Sequence, residues 1–193
     1  MRMGLGLEGR QRLGIDLDGV LIDWTSVLRD AIRNTYGFHP DTSDYDAGLT
    51  REQFAEIHDK IAGDGGLPLC DVYYDNMETL VELAERHDIF YITHRRSMLG
   101  NKVVDGIIRD DTKYFLEVND FPEGKLIFTH DKVSVCEHYN IPIMVEDHLE
   151  TAQNFLGTIT RCYLIDRPWN RHIWYPPHYR VLNLEAVVEI EKI

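Results

Sequence analysis

Cysteine is scarce in this chain, cations are outnumbered, and no apolar run is long enough to cross a bilayer. The three cysteines, Cys70, Cys136 and Cys162, are odd in number and widely spaced. That pattern excludes a disulfide framework or a cysteine zinc site and reads as reduced thiols in a cytoplasmic setting. Lys and Arg number 20 against 33 Asp and Glu, a net charge of -13. Nucleic acids and anionic membranes are bound through clustered cations, so this balance argues against both as partners. It leaves room for a small phosphorylated ligand, because a bound metal and a few placed cations dominate the field around them. A signal-peptide core is missing near the start, and residues 1–11 read as a Gly-rich, irregular leader. Internal repeats and low-complexity tracts are missing as well.

What is present is a chain of 193 residues, 44% of them hydrophobic, which is enough for one domain with a real core and room for an insertion. Strand-like apolar runs recur at residues 13–17, 88–93, 125–129, 142–146 and 161–166. Helical spacing lies between them. Trp24, Val27, Leu28 and Ile32 trace one face, and Gly37 offers a C-terminal stop. Thr50 and Gln53 have capping-box form, with Phe54, Ile57 and Ile61 continuing that helix to Gly63. Asp75 with Glu78 opens another, carrying Met77, Leu80, Val81 and Ala84. Leu149, Ala152, Phe155 and Leu156 line a short helix that stops at Gly157. Strands alternating with helices predict a parallel sheet covered on both faces.

The first and second strand-like runs are separated by about seventy residues, 19–87. A single crossover helix needs far fewer. The surplus reads as a small helical insertion placed to cover the carboxyl edge of the sheet, where ligands bind in such folds.

That edge is where the chemistry collects. The first run delivers Asp16 and Asp18 at a spacing of two, followed at once by Gly19. Strand alternation breaks down where the chain turns, so both carboxylates can converge on one ligand. Two anions that close repel unless a cation or a shared proton lies between them. The second run ends in Thr93-His94-Arg95-Arg96, the third is followed by Lys132, and the fourth ends in Glu146-Asp147. Carboxylate oxygens with an ammonium and a hydroxyl suit Mg²⁺ plus a phosphoryl group. Lys132 would offset phosphate charge, and Thr93 would donate to a phosphoryl oxygen.

In order and spacing these four segments resemble the motifs of the haloacid-dehalogenase-like (HAD) superfamily, over residues 13 to about 188. Asp16-Leu17-Asp18-Gly19-Val20 resembles motif I, Thr93 motif II, Lys132 motif III and Glu146-Asp147 motif IV. Asp at the second acidic position of motif I resembles the phosphatases of the superfamily rather than its dehalogenases. Phe128-Thr129-His130-Asp131-Lys132, Asp166-Arg167-Pro168-Trp169-Asn170 and Val181-Leu182-Asn183-Leu184-Glu185 resemble the 5'(3')-deoxyribonucleotidase branch and its bacterial nucleotidase-like members.

The resemblance implies an α/β fold: a Rossmannoid, doubly wound parallel sheet in residues 12–22 and 76–193, with a small helical C1-type cap in residues 23–75. It implies a Mg²⁺-dependent phosphomonoesterase acting through an aspartyl-phosphate on (deoxy)nucleoside monophosphates. Asp16 would be the nucleophile and Asp18 the acid and base, with Thr93 and Lys132 completing the catalytic set. Thr93, His94, Arg95 and Lys132 would surround the substrate. Mg²⁺ would rest on Asp16, Asp147 and the backbone carbonyl of Asp18, with Glu146 reaching it through water. The branch often carries Asp-Asp in motif IV, whereas Glu-Asp also occurs in sugar-phosphate members. A phosphatase for a small sugar phosphate or phosphoglycolate is therefore the alternative enzyme. A non-catalytic nucleotide- or metal-binding module is the alternative outside catalysis, and it would have no need of an intact Asp16, Asp18, Lys132 and Asp147.

Taken singly, these residues have plainer readings. Lys132 alone is a solvated helix-start lysine, and loop arginines such as Arg95 and Arg96 are usually solvated. His94, His130 and His148 flank the motifs, but Mg²⁺ does not need histidine. Trp24 and Phe54 could stack on a base, although aromatics at helical spacing are more often core. Residues 166–170 read more readily as a turn than as a brace.

Overall fold

The computed structural model describes residues 9–41, 43 and 48–193. Most of the expected leader, residues 1–8, lies outside the described residues, as do residues 42 and 44–47 of the insertion. In chain order the elements are β1 (Arg12–Ile15), β2 (Ile22–Asp23), α1 (Trp24–Tyr36), α2 (Arg51–Gly63), β3 (Asp71–Val72), α3 (Tyr74–Arg86), β4 (Asp88–Thr93) and α4 (Lys102–Val118). They continue with β5 (Gly124–Phe128), α5 (Lys132–His138), β6 (Ile143–Glu146), α6 (Leu149–Gln153), β7 (Arg161–Ile165), β8 (Arg180–Val181) and α7 (Leu184–Glu191).

Six strands form a parallel sheet in the order β5-β4-β1-β6-β7-β8. The chain leaves β1 toward β4 and β5, then returns to the other side of β1 for β6, β7 and β8. That reversal lies between β1 and β6, and a ligand crevice forms at the carboxyl ends of such a pair. The strands are apolar on both faces because both are covered. In β4, Ile89 and Tyr91 join one core cluster while Phe90 and Ile92 join another. This is the doubly wound α/β arrangement expected from the sequence.

Local signals place the helices. Asp23 accepts from Ser26 N–H at 3.1 Å to start α1, and Gly37 ends it at φ 74°, a conformation open to residues without a Cβ. The Thr50–Gln53 capping box forms as read, opening α2. Two expectations shift. Helix α3 begins at Tyr74, so Asp75 sits in its first turn instead of capping it. Helix α6 ends at Gln153, short of Gly157. The sequence reading passed over α4 entirely, although Asn101 caps it by accepting from Val103 and Val104 N–H.

The insertion leaves and re-enters the sheet through a short antiparallel ladder, Ile22 with Val72 and Asp23 with Asp71. Among the described residues, no helix is long and apolar enough to cross a membrane.

Candidate active site

Asp16 is the first residue beyond β1, and its N–H donates to Val145 O of β6 at 2.9 Å. The chain then turns tightly through Gly19, whose N–H reaches Ile22 O at 2.9 Å. Gly19 has φ 71°, and a Cβ there would fall 2.0 Å from Asp147 Oδ2. Only glycine lets this turn press against the end of β6.

Four of the expected residues meet on the crevice floor. Lys132 Nζ, at the start of α5, lies 2.7 Å from Asp16 Oδ2 and 2.7 Å from Glu146 Oε2. Carboxylate oxygens of Asp16, Glu146 and Asp147 lie within 4.8 Å of one another, and all three residues are buried. Burial, reinforced by Glu146, pushes the Asp16 carboxyl well above the usual range, while Lys132 pulls the other way. Asp147 is pushed up for the same reasons. For Glu146 burial also opposes ionisation, but Lys132 outweighs it and holds this carboxyl below its usual range. Asp16 and Asp147 thus have the signature of carboxylates that want a second positive charge.

This set fits a hard divalent cation. The donors are all oxygen, and one ammonium faces three buried carboxyls. The hydrogen bonds divide the labour. Glu146 Oε2 is held by Lys132 and its Oε1 by the N–H groups of Asp147 and His148, at 3.2 and 3.0 Å. Both Glu146 oxygens are thus engaged, and so are those of Asp16, whose Oδ1 accepts from Leu17 N–H at 2.8 Å while its Oδ2 faces Lys132.

Thr93 ends β4 fully buried, and its Oγ1 accepts from Arg95 N–H at 3.2 Å, leaving the hydroxyl proton to give. Arg95 is placed differently from a free phosphate clamp. Its Nε and Nη2 donate to the two oxygens of Asp18 at 2.8 and 2.6 Å, and its Nη1 to Thr112 Oγ1 at 3.2 Å. A buried guanidinium needs a counter-ion, and Asp18 supplies it bidentately. His94 lies at the rim, its ring 6.5 Å from that of His130. Burial, then the neighbouring Arg96 and Lys132, lower its basicity.

Above the floor is a cavity of about 280 Å³ whose far wall comes from the insertion: Trp24, Phe54, His58 and Leu67, with Met98 from the β4 loop. Sequence reasoning missed the clasp that holds this wall. Asp59 of α2 accepts from Ser97 Oγ at 2.5 Å, Met98 N–H at 2.7 Å and Leu99 N–H at 3.2 Å. Residues 167–170, which read more readily as a turn, do brace the floor: Trp169 Nε1 donates to Asp147 Oδ2 at 3.0 Å. A larger, shallower hollow of about 860 Å³ lies at the opposite edge, around Arg12, Asp88 and Gly124. None of the motif residues reaches it.

No protein-family model matches the chain, and no curated protein matches it. Solved structures do. A haloacid dehalogenase-like family hydrolase from Streptococcus pneumoniae superposes with TM-score 0.57 at 14% identity, covering 94% of this chain and 91% of that one. YfnB from Bacillus subtilis, a proposed HAD hydrolase bound to magnesium, gives 0.57 at 15%, covering 95% and 99%. CbbY from Rhodobacter sphaeroides, in complex with phosphate, gives 0.55 at 14%, covering 92% and 99%. At these identities the likeness establishes a shared HAD-like fold along nearly the whole chain.

Proposed function

We propose that this chain is a HAD-type, Mg²⁺-dependent phosphomonoesterase, with residues 23–75 serving as a cap over the site. The observation that carries the reading is Lys132 Nζ set 2.7 Å from both Asp16 and Glu146, with Asp147 beside them at the strand-order reversal. Asp16 attacks phosphorus, forming an aspartyl-phosphate as the bond to the leaving oxygen breaks. Asp18 gives that oxygen a proton, then takes one from the water that hydrolyses the intermediate. To do so it must loosen its two-point hold on Arg95. Thr93 donates its hydroxyl to a phosphoryl oxygen, and Lys132 offsets charge that grows in the transition state. Mg²⁺, held by Asp16, Asp147 and the Asp18 carbonyl, would supply Lewis-acid charge neutralisation at the phosphoryl group.

Nucleoside monophosphates are the substrate class best supported by the wall of Trp24, Phe54, Leu67 and Met98, which offers flat and apolar surface opposite a charged floor. The cavity of about 280 Å³ favours the second reading, a small sugar phosphate or phosphoglycolate, since it lies just below the range usual for larger ligands. A panel of phosphorylated metabolites, scored by released phosphate with and without EDTA, tests both. Turnover of deoxynucleoside monophosphates above ribose 5-phosphate, lost with EDTA, supports the first. Better turnover of the sugar phosphate or phosphoglycolate transfers the assignment to the second. No phosphate release from any member, in a protein that binds Mg²⁺, leaves a binding module.

A further inference from the structure

We propose that Trp169 is a positioning residue for Asp147, fixing the orientation of the carboxylate that faces the cation. The inference rests on the metal reading above. Asp147 follows β6, and the loop after β7 reaches across to it. Trp169 Nε1 donates to Asp147 Oδ2 at 3.0 Å, while Asn170 Nδ2 donates to the Asp147 carbonyl at 2.7 Å and to Ile165 O at 2.8 Å. The same loop grips the turn after β1, because Arg167 Nε donates to Gly19 O at 2.6 Å. Arg180 anchors the loop through Asn170 Oδ1 at 2.8 Å and Asp166 Oδ1 at 3.1 Å. One segment therefore holds both acidic turns of the floor.

The chemistry of the donor decides what this contact does. An indole N–H gives one hydrogen bond and accepts none, so Trp169 cannot compete with Asp147 for a cation. Trp169 is 7% exposed and Asn170 1%. Neither has ready access to water in place of Asp147, so the bond persists and limits rotation of the carboxylate about its Cβ. Groups that orient a metal ligand in this way typically contribute about 10- to 100-fold to metal affinity. A tryptophan kept only for packing would offer its ring and leave Asp147 untouched.

Calorimetric titration of the metal-free protein with Mg²⁺ tests the assignment. Trp169→Phe keeps an aromatic ring and removes the donor, and it should raise the Mg²⁺ dissociation constant by about 10- to 100-fold. Tyr175→Phe is the control, since Tyr175 is also buried and its hydroxyl donates to the carbonyls of Cys162 and Ala152 and, among the described residues, to no carboxylate of the floor. It should leave Mg²⁺ affinity within twofold. In the unaltered protein, the Trp169 indole N–H resonance should shift with Mg²⁺ along the calorimetric curve, and that of exposed Trp174 should not. This measurement stands even where the variant fails to fold. Unchanged affinity in Trp169→Phe, equal weakening in Tyr175→Phe, or an indole resonance that ignores Mg²⁺ overturns the role of Trp169 alone. No Mg²⁺ binding by the unaltered protein overturns the metal reading itself, and this inference with it.

Discussion

The floor and the roof of the cavity are built on opposite principles. The floor is ionic and closed: Lys132, Asp16, Glu146 and Asp147 are buried and bonded to one another, to backbone or, for Asp147, to the Trp169 indole. The roof is apolar, with Trp24 edge-on to His58 at 5.3 Å and Phe54 and Leu67 beside them, and it is tied to the floor's rim through Asp59. On the proposed function, chemistry that needs sub-ångström placement is set on strand ends, whereas the surface that would meet the variable part of a substrate comes from α1, α2 and the loops beside them. A floor residue should therefore be indispensable for any substrate, and a roof residue should matter only for some.

The sharpest way to break that contrast is Asp16→Asn, because an amide cannot form the acyl phosphate. Phosphate release should vanish with every substrate while the circular dichroism spectrum is kept; residual turnover in a clean preparation contradicts the covalent route. Next comes Lys132→Met. Removing one charge donor of this kind costs about 10²–10³-fold in kcat, and leaving buried partners unpaired costs about 3–5 kcal/mol of stability. Kinetics combined with urea unfolding reads both, and a variant of unchanged stability would show that the ion cluster is less buried than the floor described above.

A roof substitution should be smaller and selective. A base stacked on an aromatic ring gains about 1–3 kcal/mol, which predicts a preference of roughly five- to 150-fold in kcat/KM for a deoxynucleoside monophosphate over ribose 5-phosphate. Phe54→Ala should erase that preference and spare the sugar phosphate. Equal loss for both substrates would make Phe54 part of the fold and not of recognition.

The smallest expected effect is on pH dependence. Burial pushes the His58 imidazole below its ordinary value of 6.5, against the opposite pull of Asp59 and Asp18. The unfolded chain takes up this proton near pH 6.5 and the folded chain only lower, so His58 costs no stability above 6.5 and destabilises as pH falls through it. In His58→Gln the decline of Tm below pH 6.5 should be shallower than in the unaltered protein. A parallel or steeper decline would show that His58 is protonated in the fold.

The same contrast explains what could be read from the sequence. The floor was legible because each acidic or basic residue sits at the end of an apolar run, and strand ends of a parallel sheet converge. The partners that tune it were not, since Asp18–Arg95 and Asp147–Trp169 join residues 77 and 22 positions apart, and even the brace weighed for residues 166–170 named no partner. Helix α4, by contrast, was legible and passed over. Its buried face, Val104, Ile108 and Phe115, has helical spacing, and charged Arg109, Asp110, Lys113 and Glu117 lie on the exposed side beside Val103 and Tyr114. In the roof the capping box gave α2 its start, yet nothing local marks Asp59 as the clasp to Ser97, 38 positions away.

The two-residue ladder of β2 with β3 brings Asp23 and Asp71 side by side, so the segment between them leaves and returns through one doorway, with the Asp59 clasp as a second tie. Material could be exchanged through that doorway without altering the spacing of Asp16, Lys132 and Asp147. On the proposed function, a segment hung this way is where substrate choice can be revised while the floor that carries the reaction stays in place.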